Sequence, residues 1–333
     1  MSKLVALDLP WDNQFPAALK AVWEGGDAAC VLDQRLEPEA RRRSRAVLSP
    51  TSVIFADGSE EMVDAGARVE DGSALVVATS GSSADPKAAV LSHEAIQFSA
   101  RVTSETLGID PSRHRWLACL PLNHIGGLAV VTRSIITGTP LMVSAGPRRK
   151  PLSEFEQSCS HVALVPAMLE EADLSNFDLV LLGAAAALDL LPSNAVCSYG
   201  MTETGSGVIY DGIPLEGVHY WIDPEVPSGE ANLFLQSPSL ASAYRDRELP
   251  SVADSKGQSW FPTGDVAVMT ATGKISISGR AGSVISTGGE QLWPQDLERI
   301  LAPLASIDAI MIAGRSDARF GQVVVALVVA KDV

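Results

Sequence analysis

The 333-residue sequence has no Cys-x-x-Cys pair, no basic stripe, no internal repeat and no low-complexity tract. No apolar run approaches the roughly 18 residues that a bilayer span requires. Cysteine is sparse and scattered: Cys30, Cys119, Cys159 and Cys197 lie far apart, three of them in apolar surroundings, which predicts small core residues in a reducing compartment. Positive charge is short as well, with 25 Lys and Arg against 40 Asp and Glu and a net charge of −15. The one cationic cluster, residues 41–45, follows Glu37 and Glu39 and reads as an exposed helix face, so a nucleic-acid partner is excluded. Any phosphate chemistry in so acidic a chain must come from local donors. Residues 1–10 hold no signal-peptide core and are broken by Asp8 and Pro10, so the expected location is cytoplasmic, with no membrane partner. What remains, 46% hydrophobic and 20% charged, is an ordinary globular composition, long enough for one large domain or two unequal ones.

Against that background residues 79–87, Thr-Ser-Gly-Ser-Ser-Ala-Asp-Pro-Lys, stand out. Four hydroxyl side chains (Thr79, Ser80, Ser82, Ser83) and Gly81 precede a single cation, Lys87, and an apolar run flanks each side. The pattern predicts a strand–loop–strand hairpin whose tip gathers backbone N–H groups, hydroxyls and one positive charge, the donor set that wraps a polyphosphate. It differs from the glycine-rich loop that runs straight into a helix. On composition alone, a Ser/Gly-rich hairpin is more often a solvated turn.

From residue 72 to about 200, short apolar runs alternate with amphipathic segments. Strands are expected at 74–79, 115–120, 140–144, 161–165, 177–182 and 195–199, and helices at 93–107, capped by Ser92, and at 125–137. This rhythm implies an α/β core with a largely parallel sheet. Beyond residue 215, runs at 229–236, 257–261, 266–270 and 274–278 separated by Gly and Pro turns read as a β-rich subdomain. After residues 279–283 a strand at 284–287, a Pro294-started helix to about Leu301 and strands at 307–313 and 323–330 look like the start of a small α+β domain.

Five further segments keep company with the loop. Residues 121–127, with His124 and Gly127, sit where a strand meets a helix; a satisfied histidine at a helix start is the plainer explanation of that segment alone. Gly183 and Ala184 end a buried strand with side chains small enough for a flat ring to lie on the backbone. Residues 199–203, Tyr-Gly-Met-Thr-Glu, end another strand and set an aromatic face beside a hydroxyl and a carboxylate suited to Mg²⁺ near phosphates. Asp265, in Thr263-Gly-Asp265, offers one carboxylate to both hydroxyls of a ribose, with Arg280 in reach of the same group. Taken singly, Asp265 also suits a turn cap, Glu203 a surface charge and Gly183 a packing position.

The order and spacing of these pieces resemble the adenylate-forming superfamily of acyl-CoA synthetases, luciferases and peptide-synthetase adenylation domains. Residues 79–87 match its phosphate loop, 199–203 its Tyr-Gly-x-Thr-Glu, 263–265 its Thr-Gly-Asp, and Gly279-Arg280 with Gly288-Gly-Glu290 its hinge and the glycine-rich strand beyond. Within it, residues 199–217 and Ser286 are similar to the o-succinylbenzoate–CoA ligases of menaquinone biosynthesis. The resemblance implies the adenylate-forming fold: a large α/β plus β-rich domain over 1–281 and a small, incomplete, mobile α+β domain over 282–333. It implies ATP, Mg²⁺ and coenzyme A acting on a small carboxylic acid through an acyl-adenylate. A homodimer is the expected assembly.

By the same resemblance, Thr79, Ser80, Gly81, Ser82, Ser83 and Lys87 would hold the phosphates. Thr202 and Glu203 would take the metal, and Gly183, Ala184, Tyr199 and Gly200 the adenine. Asp265 and Arg280 would bind the ribose, Gly289 would give pantetheine room, and Gly282 would be the pivot. His124, Gly127, Thr204, Gly205 and Val208 would line the acyl pocket, with Arg133 placed to meet a distal carboxylate. Two departures are visible: Gly282 stands where relatives often carry Asp or Lys, and Ala184 where a second glycine is common. Lys331 does not match the family's C-terminal catalytic lysine, so weakened adenylation is expected. Two alternatives stay open: a ligase for another aryl or fatty acid, and a nucleotide- or acyl-adenylate-binding protein.

Overall fold

The computed structural model describes residues 1–79, 87–144, 152–171, 174–183, 191–223, 231–287, 290–302, 304, 306–317 and 319–330. Two compact units result: Met1–His219 with Gln236–Pro250, and Tyr220–Leu235 with Ser251–Val333.

The first unit holds two seven-stranded sheets where the sequence pattern suggests one. In the first, the order is Ala243–Tyr244, Ala88–Ser92, Ser73–Ala78, Ala28–Val31, Leu4–Asp8, Ser52–Phe55, Glu60–Met62. Its four central strands, from Ser73–Ala78 to Ser52–Phe55, are parallel, and both flanks are antiparallel. The first 71 residues supply three of those central strands through two helices, Phe15–Glu24 and Pro38–Leu48. These three strands, four or five residues long, lie before residue 72, where the strand-and-helix rhythm of the sequence begins. The second sheet runs Ile213–Pro214, Ser206–Tyr210, Ala195–Met201, Leu179–Gly183, His161–Leu164, Trp116–Ala118, Leu141–Val143. Its last five strands are parallel, and Ser206–Tyr210 turns back antiparallel on Ala195–Met201.

Strands buried on both faces read as near-continuous apolar runs. Leu4, Ala6, Cys30, Val53 and Val76 fill one core, and Leu117, Val162, Leu164, Val180 and Leu182 the other. Helix His93–Thr106 starts as expected, with Ser92 Oγ accepting the Ala95 N–H at 3.1 Å. Helix Ile125–Thr137 ends at Gly138, whose φ of 72° closes it in the left-handed region. The two helices pack on each other, and His93–Thr106 touches strands of both sheets. All four cysteines are free, three of them buried. Burial pushes the Cys30 and Cys119 thiols up to about 12 and Cys159 to about 11, so all three are protonated packing groups.

One side chain ties the 236–250 segment to the N-terminal helices. Arg245 donates from Nε to the Leu48 carbonyl (3.2 Å), from Nη1 to that of Arg68 (3.0 Å), and from Nη2 to those of Ser49 (3.1 Å) and Ala67 (2.7 Å). Leu48 closes helix Pro38–Leu48, where carbonyls lack intrahelical donors and the dipole favours a cation. Arg245→Met is expected to cost about 2–4 kcal/mol, read as a lower urea midpoint at unchanged slope. Lysine should restore less than half of it, because one ammonium cannot meet four diverging acceptors. An unchanged midpoint would reduce the tie to a surface contact.

In the second unit, Ala231–Gln236, Ser259–Met269, Val252–Ala253, Ile275–Arg280 and His219–Ile222 form an antiparallel sheet. The two strands expected at 257–261 and 266–270 are a single strand, Ser259–Met269. Pro262 and Gly264 look like breaks in sequence but are absorbed where the register shifts along this irregular strand. Beyond it, Glu290–Leu292, Ile285–Thr287, Gly321–Ala330 and Ile307–Asp317 form a four-stranded sheet against which helix Pro294–Leu301 packs. Among the described residues no helix is long and apolar enough to cross a membrane.

Candidate active site

The hairpin exists, and its base is well defined. Ser73–Ala78 and Ala88–Ser92 pair antiparallel to Ala78↔Ala88, and the Thr79 N–H donates to the Lys87 carbonyl at 2.8 Å. Thr79 and Lys87 therefore face each other across the mouth of the loop. Ser80, Gly81, Ser82 and Ser83 lie outside the described residues, as do Ala184 and Gly289.

Lys87 and Glu203 meet a common neighbour. The strand Ala243–Tyr244 pairs with Ala88–Ser92 in the register Tyr244↔Ala89, which sets the Tyr244 ring beside Lys87, with Nζ 5.3 Å from the ring centroid. The Tyr244 hydroxyl donates to Glu203 Oε1 at 2.7 Å. Glu203 sits in a single 3-10 turn, Thr202–Thr204, directly after the strand Ala195–Met201, and its carbonyl accepts the Ala241 N–H at 2.7 Å. Thr204 is 0% exposed, and its hydroxyl accepts from the Met201 N–H and donates to the Ser206 carbonyl (2.7 Å). Its hydroxyl builds the turn. Gly205 ends the turn at φ 70°; Val208 is buried.

Two glycines are explained by close approach. A Cβ on Gly200 would stand 2.1 Å from the Ser206 carbonyl oxygen, where the register between neighbouring strands shifts. A Cβ on Gly127 would stand 2.5 Å from the carbonyl oxygens of Leu120 and Pro121. The helix Ile125–Thr137 thus rests its first turn on the chain leaving Trp116–Ala118, and Gly127 is needed for that contact whatever else it does. Just before it, His124 is the helix N-cap and its side chain makes no capping bond. The imidazole is open to solvent yet ringed widely enough that desolvation holds its pKa below the ordinary value; Asp33 opposes this and Arg35 adds to it. Near neutral pH it is uncharged.

Gly183 ends Leu179–Gly183 in register with Ser198, so Tyr199 follows on the adjacent strand at the same edge of the sheet. Flat-ring binding at the carboxyl ends of parallel strands is what this edge offers.

Arg133 lies deep in the first unit, 2% exposed. Its Nη2 donates to Ser206 Oγ at 3.3 Å, its guanidinium lies 5.2 Å from the Trp116 ring centroid, and among the described residues Nε and Nη1 have no partner. The Trp116 Nε1 is also buried without a partner. Burial pulls the Arg133 pKa down while Tyr210 pulls it up. The far contact of Trp116 is with His161, which burial chiefly, and then His114, push down to about 4 against Asp178. It is neutral and supplies no counter-charge.

Within the second unit, Asp265 and Arg280 are register partners on adjacent strands, with Arg280 Nε 3.0 Å from Asp265 Oδ1. Arg280 Nη1 donates to the Thr263 carbonyl (3.0 Å), and Thr263 Oγ1 accepts from the Asp265 N–H (3.0 Å). Asp265 is thus a buried carboxylate with an exposed guanidinium beside it. Gly282 is exposed, and a Cβ there would meet nothing within 4 Å, so packing leaves the backbone free to turn.

The AMP-binding enzyme family matches residues 57–230. A protein of Mycobacterium tuberculosis (strain CDC 1551 / Oshkosh) named a probable 2-succinylbenzoate–CoA ligase is 34% identical over 291 residues, which cover 80% of this chain and 73% of that protein. The chain belongs to the AMP-binding enzyme family. The 2-succinylbenzoate–CoA ligase of Listeria innocua is 27% identical over 282 residues, 78% of this chain and 60% of that protein. The fold agrees with the o-succinylbenzoate CoA synthetase of Bacillus subtilis solved with its acyl-adenylate intermediate: TM-score 0.82 at 22% identity, covering 99% of this chain and 79% of that one.

For this AMP-binding enzyme the donor set decides which metal fits. Among the described residues no group of three or more His, Cys, Asp or Glu side chains is placed to hold an ion. A lone carboxylate with a neighbouring hydroxyl, Glu203 and Thr202, suits Mg²⁺, which keeps its waters and takes most of its ligands from substrate phosphates. Tyr244 escaped the sequence reading altogether. It belongs to a two-residue strand with no motif, and only the pairing with Ala88–Ser92 reveals it.

Proposed function

We propose that this chain is an AMP-forming ligase that activates 2-succinylbenzoate as an acyl-adenylate and transfers it to coenzyme A. The observation that carries the reading is the convergence of Lys87 and Glu203, distant in sequence, on opposite parts of Tyr244. One is a cation for phosphate oxygen, the other an anion for the metal that accompanies it.

In the first half-reaction a carboxylate oxygen attacks the α-phosphorus of ATP, and the bond to pyrophosphate breaks. Charge develops on phosphate oxygens, so alignment and fixed positive charge matter more than proton transfer. Lys87 draws the departing phosphates, and Thr79 fixes the loop at its base. Glu203 and Thr202 would hold Mg²⁺, which would supply charge neutralisation at the phosphates. Gly183 and Tyr199 offer the adenine its surface. In the second half-reaction the thiol of coenzyme A attacks the acyl carbon, AMP leaves with the bonding pair, and the thiol proton passes to solvent. The pivot between half-reactions is assigned to Gly282. Arg133 answers the distal carboxylate, and His124 stands neutral at the pocket mouth.

ATP–pyrophosphate exchange across a panel of acids, followed by thioester formation with coenzyme A, tests this reading. Exchange should be fastest with 2-succinylbenzoate. Benzoate or a fatty acid ranking above it would overturn the choice of acid, and no exchange with any acid would overturn the ligase reading itself.

A further inference from the structure

Tyr244 is 7% exposed, and three charged side chains surround it. Its hydroxyl donates to Glu203 Oε1 at 2.7 Å, Lys87 Nζ stands 5.3 Å from its ring centroid, and the Arg247 guanidinium 5.8 Å from it. The Tyr244 N–H donates to the Arg247 carbonyl (2.9 Å), and the Ala241 N–H to the Glu203 carbonyl (2.7 Å). The 241–244 segment therefore holds Glu203 by main chain and side chain together. An O–H to carboxylate bond this short is charge-assisted, and a cation within about 6 Å of a ring face is attracted to it. Among the described residues Lys87 and Glu203 form no direct ion pair. The ring and the hydroxyl thus hold a cation and an anion at separate points of one side chain, whereas a lysine and a carboxylate paired directly would cancel the charge that each offers to a ligand.

We propose that Tyr244 is a positioning residue that separates Lys87 from Glu203 and aims both, leaving the lysine for the triphosphate and the carboxylate for the cation. The inference rests on the ligase reading for its meaning, but its test does not. Tyr244→Phe removes only the hydroxyl; Tyr244→Leu removes the ring as well. The first measurement is thermal stabilisation by a non-hydrolysable ATP analogue as Mg²⁺ is titrated. The second is ATP–pyrophosphate exchange with 2-succinylbenzoate over the same titration.

In Tyr244→Phe the Mg²⁺ concentration at half effect should rise about tenfold in both, the loss expected of one hydrogen bond to a charged group, and excess Mg²⁺ should restore the exchange. In Tyr244→Leu the loss should persist at saturating Mg²⁺, because lysine and glutamate then pair with each other. If wild type shows no exchange, the ligase reading fails while the stabilisation assay still judges Tyr244. If Tyr244→Phe titrates with Mg²⁺ as wild type does, the positioning role is wrong. Should Tyr244→Leu not fold, the phenylalanine variant alone decides.

Discussion

Replacing Glu203 with glutamine is expected to lower ATP–pyrophosphate exchange about 10²–10³-fold while leaving the thermal midpoint within a degree or two of wild type. The size follows from losing the anion that would hold Mg²⁺ where negative charge builds up in the transition state, about 3–4 kcal/mol by comparison with other preorganised groups. Stability should barely move, because the amide oxygen still accepts from the Tyr244 hydroxyl and the main-chain bond from Ala241 is untouched. The two readouts separate chemistry from architecture. The loss should fall on kcat and on the Mg²⁺ requirement together, and raising ATP alone should not repair it. Exchange within threefold of wild type would show that Glu203 is only a partner for Tyr244, and the metal assignment would fall with it.

The legible part of this protein was the part governed by local rules. The Ser92 cap, the helix 125–137 and the helix begun by Pro294 follow from capping, periodicity and proline placement, and all three stand where the pattern puts them. The hairpin under the phosphate loop was legible for the same reason, since two apolar runs across a polar tip have few other ways to pair. What the pattern could not show depends on pairing between distant segments. Leu4–Asp8, Ala28–Val31 and Ser52–Phe55 pair parallel with one another, and Ser73–Ala78 joins them from the segment that carries the hairpin. Tyr244 acquires a role only through register with Ala89, and Arg245 only through carbonyls nearly two hundred residues away in sequence. The Thr204 hydroxyl is buried and must find a partner, which the adjacent backbone supplies.

Arg133→Met is expected to separate stability from specificity. A guanidinium 2% exposed, with two nitrogens unpartnered and its one hydrogen bond to a neutral serine at 3.3 Å, carries a desolvation cost its neighbours do not offset. The Trp116 ring face recovers part of it, on the order of 1–2 kcal/mol. Methionine fills similar volume without charge, so the unliganded variant should be as stable as wild type or about 1–3 kcal/mol more stable in urea unfolding. Such an arrangement persists where a ligand completes it, since function sites are where proteins hold strain of this kind. A carboxylate arriving at Nε and Nη1 would form the paired, charge-assisted contact that is missing. Losing it should raise KM for 2-succinylbenzoate about 10²-fold, as a buried site built for a charged group discriminates by that order, while kcat/KM for benzoate stays within a few fold. The decisive number is the ratio of the two acids' kcat/KM values, which a merely structural arginine would leave alone. Equal losses for both acids, or a lower unfolding midpoint with the ratio intact, would make Arg133 a core cation that works for the fold and not for the acid.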